Sequence, residues 1–168
     1  MDFEKVIKER FSTRKFKNEK VSDELITKIL QAGNLAPTAK NYQPQKIVVV
    51  KSEEGLAKID KASPCRYNAP ICLIIASDKS VAWSKEDYST YEMDACIVAT
   101  HMMLEATNLG VNSIWIEFFD KNILKQEFDL KDNIEPICLI PLGYKADDFK
   151  PSPMHSKRKD LSEIVEYR

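Results

Sequence analysis

The chain has 168 residues, with 25 Lys and Arg against 26 Asp and Glu, for a formal net charge of −1. At an ordinary domain length of roughly 150 residues, this predicts one continuous domain over residues 1–168 whose core needs no disulfide or structural metal. Balanced charge argues against a nucleic-acid-binding domain, and the longest uninterrupted apolar run, Ile71–Ala76, is too short to span a bilayer. The opening MDFEKVIKERF carries early acids and no apolar stretch, so it does not read as a signal peptide.

In chain order, Phe3, Val6 and Ile7 predict a first helix over Asp2–Arg10, with Asp2 as its cap. A second helix follows Ser22, with Leu25, Ile26, Ile29 and Leu30 as its buried stripe and Gly33 as its end. Pro37 and Pro44 keep residues 34–45 irregular. A strand is expected over Lys46–Lys51, a short helix over Glu53–Ala62 and a buried strand over Ile71–Ala76. Residues 77–90 are polar, with Trp83 and Tyr88 inserted. The longest helix, Tyr91–Leu109, is apolar around much of its circumference and ends at Gly110, so it needs cover on more than one face, and a partner subunit would supply it. A strand Ser113–Glu117, a helix Asp120–Phe128 and a last core strand Pro136–Leu142 complete the core. The tail runs through Lys157, Arg158 and Lys159 to a short helical pattern at Leu161, Ile164 and Val165. Helices and strands intermix without strict βαβ order, which makes the fold class α+β.

Cys65, Cys72, Cys96 and Cys138 form no CxxC pair, and three of them sit in apolar runs as small hydrophobes. They predict structural thiols in a reducing cytoplasm rather than a metal site. With His101 and His155 the only histidines and no local triad signature, hydrolase chemistry is disfavoured and no catalytic side chain is assigned. His101, on the apolar helix, reads as a core or interface residue.

Three segments carry chemistry. In Arg10-Phe11-Ser12-Thr13-Arg14, an extended chain puts Arg10, Ser12 and Arg14 on one side. Two guanidinium forks and a hydroxyl there match the oxygens of a phosphate monoester. Phe11 and Phe16 would anchor the segment, which also reads as a solvated basic turn after a helix. The proline-stiffened loop Ala36–Pro44 offers the Asn41 and Gln43 amides, which suit a flat heterocycle; it also reads as an ordinary capped loop. The cations of Lys157, Arg158 and Lys159 close over an anion or form a solvated face.

Together these segments resemble the small FMN-dependent nitroreductase family from end to end. The resemblance rests on Arg10, Ser12 and Arg14; on Ala36, Pro37, Thr38, Ala39, Asn41, Gln43 and Pro44; and on Asp94-Ala95 at a helix start. It continues through Leu109, Gly110, Ser113, Trp115 and Ile116; Pro141, Gly143 and Tyr144; and Arg158, Lys159, Leu161, Glu163, Ile164 and Val165. It implies a nitroreductase-like sandwich with a central mixed sheet flanked by helices, assembled as an intertwined homodimer with FMN at the interface.

By this resemblance, Arg10, Ser12, Arg14 and Arg158, with Lys157 or Lys159, hold the FMN phosphate and ribityl. Asn41 and Gln43 address the ribityl and ring edge, and Pro37, Thr38 and Ala39 lie near the neighbouring subunit's flavin. The backbone of Ile116 and Glu117 approaches its reactive centre. The implied activity is that of a cytoplasmic oxidoreductase that takes hydride from NAD(P)H and passes it to a nitroaromatic, quinone or similar small-molecule acceptor in a ping-pong cycle. No residue identifies itself as a partner for a 2′-phosphate, so NADH and NADPH both stand as reductants. Trp83, Tyr88 and Phe118 or Phe119 either border the acceptor pocket or, for Trp83, pin a surface loop. The residues leave two other classes open: a flavin-storage, sensing or dehalogenase-like protein, and a non-redox nucleotide-binding interaction protein.

Overall fold

The structure, a computed structural model, describes residues 2–168. The helices are α1 (Phe3–Glu9), α2 (Asp23–Asn34), α3 (Glu53–Ala62), α4 (Tyr91–Asn108) and α5 (Lys121–Glu127). The strands are β1 (Gln45–Val50), β2 (Ile71–Asp78), β3 (Ser84–Lys85), β4 (Tyr88–Ser89), β5 (Asn112–Ser113) and β6 (Ile134–Gly143). The class is α+β, as the mixed order of elements predicts.

The central sheet runs β1-β2-β6-β5 with antiparallel ladders throughout, and its one parallel element is a bridge from Ser12 to Ser113. β2 is buried along both faces because its side chains alternate between two cores. Ile71, Leu73 and Ile75 join Ile29, Val98, Met102 and Ile140 on the α2/α4 side. Cys72 and Ile74 join Ile59, Leu124 and Leu139 on the α3/α5 side. This alternation reads in sequence as an unbroken apolar run, because neither face meets water.

Several boundaries differ from the sequence reading. Gly33 does not end α2, which runs on to Asn34. Instead it is the point of closest approach to α4, since a Cβ there would lie 2.7 Å from both Cγ and Sδ of Met102. Asp2 precedes α1 but makes no side-chain cap bond; its carbonyl accepts Val6 N–H at 3.1 Å. The expected strand Ser113–Glu117 shrinks to Asn112–Ser113 plus an isolated bridge between Ile116 and Leu139. Residues 84–89 form an unforeseen hairpin, turned at Glu86 with φ 56°. No glycine or Asn-Gly pair marks that turn, so the sequence carries no signal for it.

Phe16 is buried and fixes the end of the Arg10–Arg14 segment against β6. Gly143 permits this packing, because a Cβ there would lie 2.7 Å from Pro70 Cδ and 3.0 Å from Phe16 Cδ1. Both neighbours are rigid rings. Gly143→Ala is therefore expected to cost about 1–3 kcal/mol, read as a lowered urea midpoint with an unchanged m value.

Candidate functional site

The segment after α1 is not a solvated turn. Thr13 is fully buried, and its N–H donates to Ser113 C=O at 3.0 Å. This pairing turns Ser12 and Arg14 to the other side. Arg10, Phe11, Ser12 and Arg14 meet Ser152, Met154, His155 and Arg158 around one cavity of about 370 Å³.

Residues about 150 positions apart meet here because the tail docks on the end of α1. Phe11 stacks on Phe149 with ring centroids 6.1 Å apart, and His155 meets Phe11 edge-on at 6.2 Å. His155 Nε2 lies 3.1 Å from Lys8 C=O, which requires a proton on that nitrogen. Arg158 Nη1 donates to the carbonyls of His155 at 2.6 Å and Lys157 at 2.7 Å, leaving the rest of the guanidinium for a ligand.

The electrostatics suit an anion. Arg10, Arg14 and Arg158 make no ion pair with a carboxylate among the described residues. Burial, and then the Arg158 charge, hold Arg10 below the ordinary arginine range. Arg10 and Arg158, close enough to repel each other, and Arg14 on the same cavity fit a phosphate monoester. Lys157 and Lys159 are exposed and do not line this cavity. Tyr67 lies beside Arg14; burial, followed by a hydrogen bond to Cys65, raises its phenol pKa, while Arg14 opposes the shift. Nothing in the sequence signals this neighbour, because Tyr67 reaches it through a left-handed turn, with φ 55°.

The second segment forms a tight, strained loop. Lys40, Asn41 and Gln43 all have left-handed backbones, with φ of 50°, 56° and 51°. Each non-glycine residue so held costs on the order of 1–2 kcal/mol. Gln43 N–H donates to Thr38 Oγ1 at 3.0 Å, and Gln43 Nε2 donates to Asn41 C=O at 3.3 Å. Such strain persists only where surrounding contacts dictate it, and it clusters at functional sites.

Within one chain the loop and the basic cavity share no lining residue. Pro37, Asn41 and Gln43 are exposed and Thr38 and Ala39 half-buried, and none of them lines the basic cavity. Gln43 lines a different cavity, with Gln31, Asn34 and Gln45.

Beyond β5, Ile116 exchanges backbone hydrogen bonds with Leu139, each at 2.9 Å, which commits its N–H and leaves its C=O a second lone pair. Glu117 C=O accepts Phe119 N–H at 3.1 Å, while the Glu117 N–H has no partner among the described residues. The Glu117 carboxylate accepts Trp115 Nε1–H at 2.9 Å.

Trp83 is half-buried under Lys40, whose Nζ is 5.9 Å from the ring centroid, and Tyr88 meets it edge-on at 6.1 Å. The Lys40 side chain thus joins the strained loop to the residue that leads into the hairpin. Phe118 is 74% exposed, whereas Phe119 is half-buried and packs against the α3/α5 core. His101 is exposed, with Nδ1 2.9 Å from Ile97 C=O, and is not a core residue. No group of His, Cys, Asp and Glu among the described residues is arranged to hold a metal ion, and no helix is long and apolar enough to cross a membrane.

Known proteins share this fold. A Clostridium difficile 630 protein, described as a nitroreductase family protein, has a crystal structure that superposes with a TM-score of 0.92 at 37% identity. The likeness covers 99% of this chain and 98% of that one. An Archaeoglobus fulgidus protein named "Putative NADH dehydrogenase/NAD(P)H nitroreductase" is 30% identical over 92% of this chain and 97% of its own length. An Exiguobacterium sibiricum 255-15 structure, described as a "putative nitroreductase in complex with FMN", shares the fold with a TM-score of 0.87 at 22% identity, over 100% of this chain and 98% of that one. The sequence profile of the nitroreductase family matches residues 7–66 and 62–144. With a match that takes in both the arginine segment and the strained loop, the chain belongs to the nitroreductase family.

Proposed function

We propose that the protein is an FMN-dependent NAD(P)H oxidoreductase that acts on nitroaromatic, quinone or similar flat acceptors. The observation that carries this reading is the cavity where Arg10, Ser12, Arg14 and Arg158 converge. Bound FMN supplies two-electron transfer, accepting reducing equivalents from a nicotinamide and releasing them to the acceptor in a ping-pong cycle.

The chain's own residues bind and orient. Arg10, Arg14 and Arg158 neutralise the phosphate, Ser12 donates a hydroxyl, and Lys157 and Lys159 add long-range positive charge beside it. Asn41 and Gln43 address the ribityl and ring edge. The free Glu117 N–H, directly after the Ile116 bridge, would present a donor to the ring. Pro37, Thr38 and Ala39 wall the flavin of a second subunit. Within one chain the loop lines no part of the arginine cavity, which supports that arrangement, in which an intertwined homodimer brings the two halves together. Exposed apolar side chains at both termini support it as well: Phe3 and Ile7 on α1, and Leu161, Ile164, Val165 and Tyr167 in the tail. The names borne by the Archaeoglobus and Exiguobacterium proteins support the nicotinamide and the flavin, respectively.

The test is optical. Purified protein reconstituted with FMN should be yellow, with one flavin per chain, and anaerobic NADH or NADPH should bleach it. A nitroarene or quinone should then restore the colour. Flavin that neither nicotinamide bleaches would overturn the oxidoreductase reading in favour of storage or sensing. Protein that takes up no FMN would overturn the flavin reading itself.

A further inference from the structure

Between its two ends, the strained loop is hydrogen-bonded to the rest of the protein through one buried carboxylate. Asp94, in the first turn of α4, is 3% exposed. Its Oδ1 accepts Ala39 N–H at 2.9 Å, and its Oδ2 accepts the Thr90 hydroxyl at 2.8 Å. At its ends the loop is tied through Ala36 N–H to Gly33 C=O and through Pro44 C=O to Asp78 N–H. Between those ends, the other hydrogen bonds of residues 37–43 stay within the loop. The Ala39–Asp94 bond is the exception among the described residues.

We infer that Asp94 is a positioning residue: by fixing Ala39 N–H it sets the backbone path that presents Asn41 and Gln43 to the flavin. This rests on the proposed flavin site. Lys40 and Asn41, directly after Ala39, adopt the left-handed conformation without being glycine. A loop so strained relaxes to another path unless something outside it dictates the course. The same carboxylate reaches the aromatic hairpin, because Thr90 N–H donates to Trp83 C=O at 3.0 Å. Loop and hairpin are thus referred to one fixed point on α4.

A carboxylate in the first turn of a helix also interacts favourably with the helix dipole. That interaction explains a negative charge, but not a tether to a particular backbone N–H. Asp94→Asn and Asp94→Ala separate the two roles. Asparagine keeps an oxygen for Ala39 N–H, and its amide donates to Thr90 Oγ1, whose proton turns to Trp83 C=O, already 3.3 Å away. Alanine removes the acceptor.

Fluorescence titration with FMN and with riboflavin, and amide hydrogen exchange on the flavin-free protein, provide the readouts. The tether predicts that Asp94→Ala weakens both flavins alike by about tenfold or more and speeds exchange at Ala39, Asn41 and Gln43. Asp94→Asn should stay within about threefold of wild type on both measures. Equal loss in the Asn and Ala variants would overturn the tether in favour of charge alone, as would wild-type binding and exchange in Asp94→Ala. If Asp94→Ala does not fold, Thr90→Val, which unpins Oδ2, should show the same two effects at smaller size; unchanged loop exchange there overturns the tether. Wild-type protein that binds neither flavin would sink the proposed function and, with it, this role for Asp94.

Discussion

Arg14→Ala is expected to weaken FMN binding by about 10- to 100-fold while leaving riboflavin affinity within about twofold of wild type. A charge-assisted hydrogen bond to phosphate contributes about 1.5–3 kcal/mol, and 1.4 kcal/mol corresponds to a tenfold change in affinity. Arg14 lines the cavity, has no carboxylate partner among the described residues and is solvent-exposed, so its removal leaves no buried group orphaned. The loss then reports the ligand contact rather than damage to the fold. Riboflavin has the same ring and ribityl but no phosphate, so it isolates the role assigned to the guanidinium. Because the contact is electrostatic and open to water, the difference between the two flavins should narrow with added salt. Fluorescence titrations with both flavins, at low and high ionic strength, check this. Equal FMN affinity in variant and wild type would remove Arg14 from the phosphate site.

That contrast complements the one proposed for Asp94. The arginine cavity reads the phosphate, so its variants discriminate between FMN and riboflavin. The loop reads the ring and ribityl, so its variants should not. A double variant therefore tests whether the two halves act independently. If each touches its own part of one ligand, their losses should add within about 0.5 kcal/mol, as expected for sites without shared partners.

The fold was legible in sequence wherever a face is plainly buried. β2 and α4 lie close to where their apolar patterns put them, because each is covered on more than one side and carries little polar interruption. Residues 113–117 carry the apolar pattern of a full strand without forming one, because hydrophobicity marks burial and does not report how many ladder bonds form. Past Ser113 the regular ladder gives way to a single bond from Ile114 N–H to Pro141 C=O at 3.3 Å and the Ile116 bridge to Leu139. Of the candidate site, Arg10, Ser12 and Arg14 were readable from an alternation, and Arg158 only through a resemblance. Their meeting depends on Phe149 and His155 docking on Phe11. Local periodicity cannot encode that contact, since its partners lie in segments far apart in sequence. Nor could it reveal the left-handed backbone at Lys40, Asn41 and Gln43. Glycine advertises such conformations, and here tertiary contacts impose them on other residues.

The fold should also be sensitive to alkali, through two thiols in its core. Burial pushes Cys72 up to about 12, and Cys138 is raised from the ordinary thiol value for the same reason. In the unfolded chain both titrate near pH 9. Above that pH the unfolded state has released protons that the folded state keeps, so stability is intact below about pH 9 and falls as pH rises toward 12. Each thiol contributes a slope of about 1.4 kcal/mol per pH unit, so two such thiols together approach 3 kcal/mol per unit. Two pH units therefore remove about 5 kcal/mol, comparable to the whole stability of an ordinary domain. Cys72 belongs to the α3/α5 core and Cys138 to the α2/α4 core, so deprotonation strikes both faces of the sheet at once. Urea midpoints between pH 7 and 11, under reducing conditions, should fall steeply in the wild type. Cys72→Ala with Cys138→Ala should start lower at pH 7, from the volume lost, but decline much more gently. Tyr67 and Tyr91, both raised mainly by burial, retain a residual slope of the same sign in the variant. If the two proteins lose stability with pH at the same rate, the buried thiols are not the source.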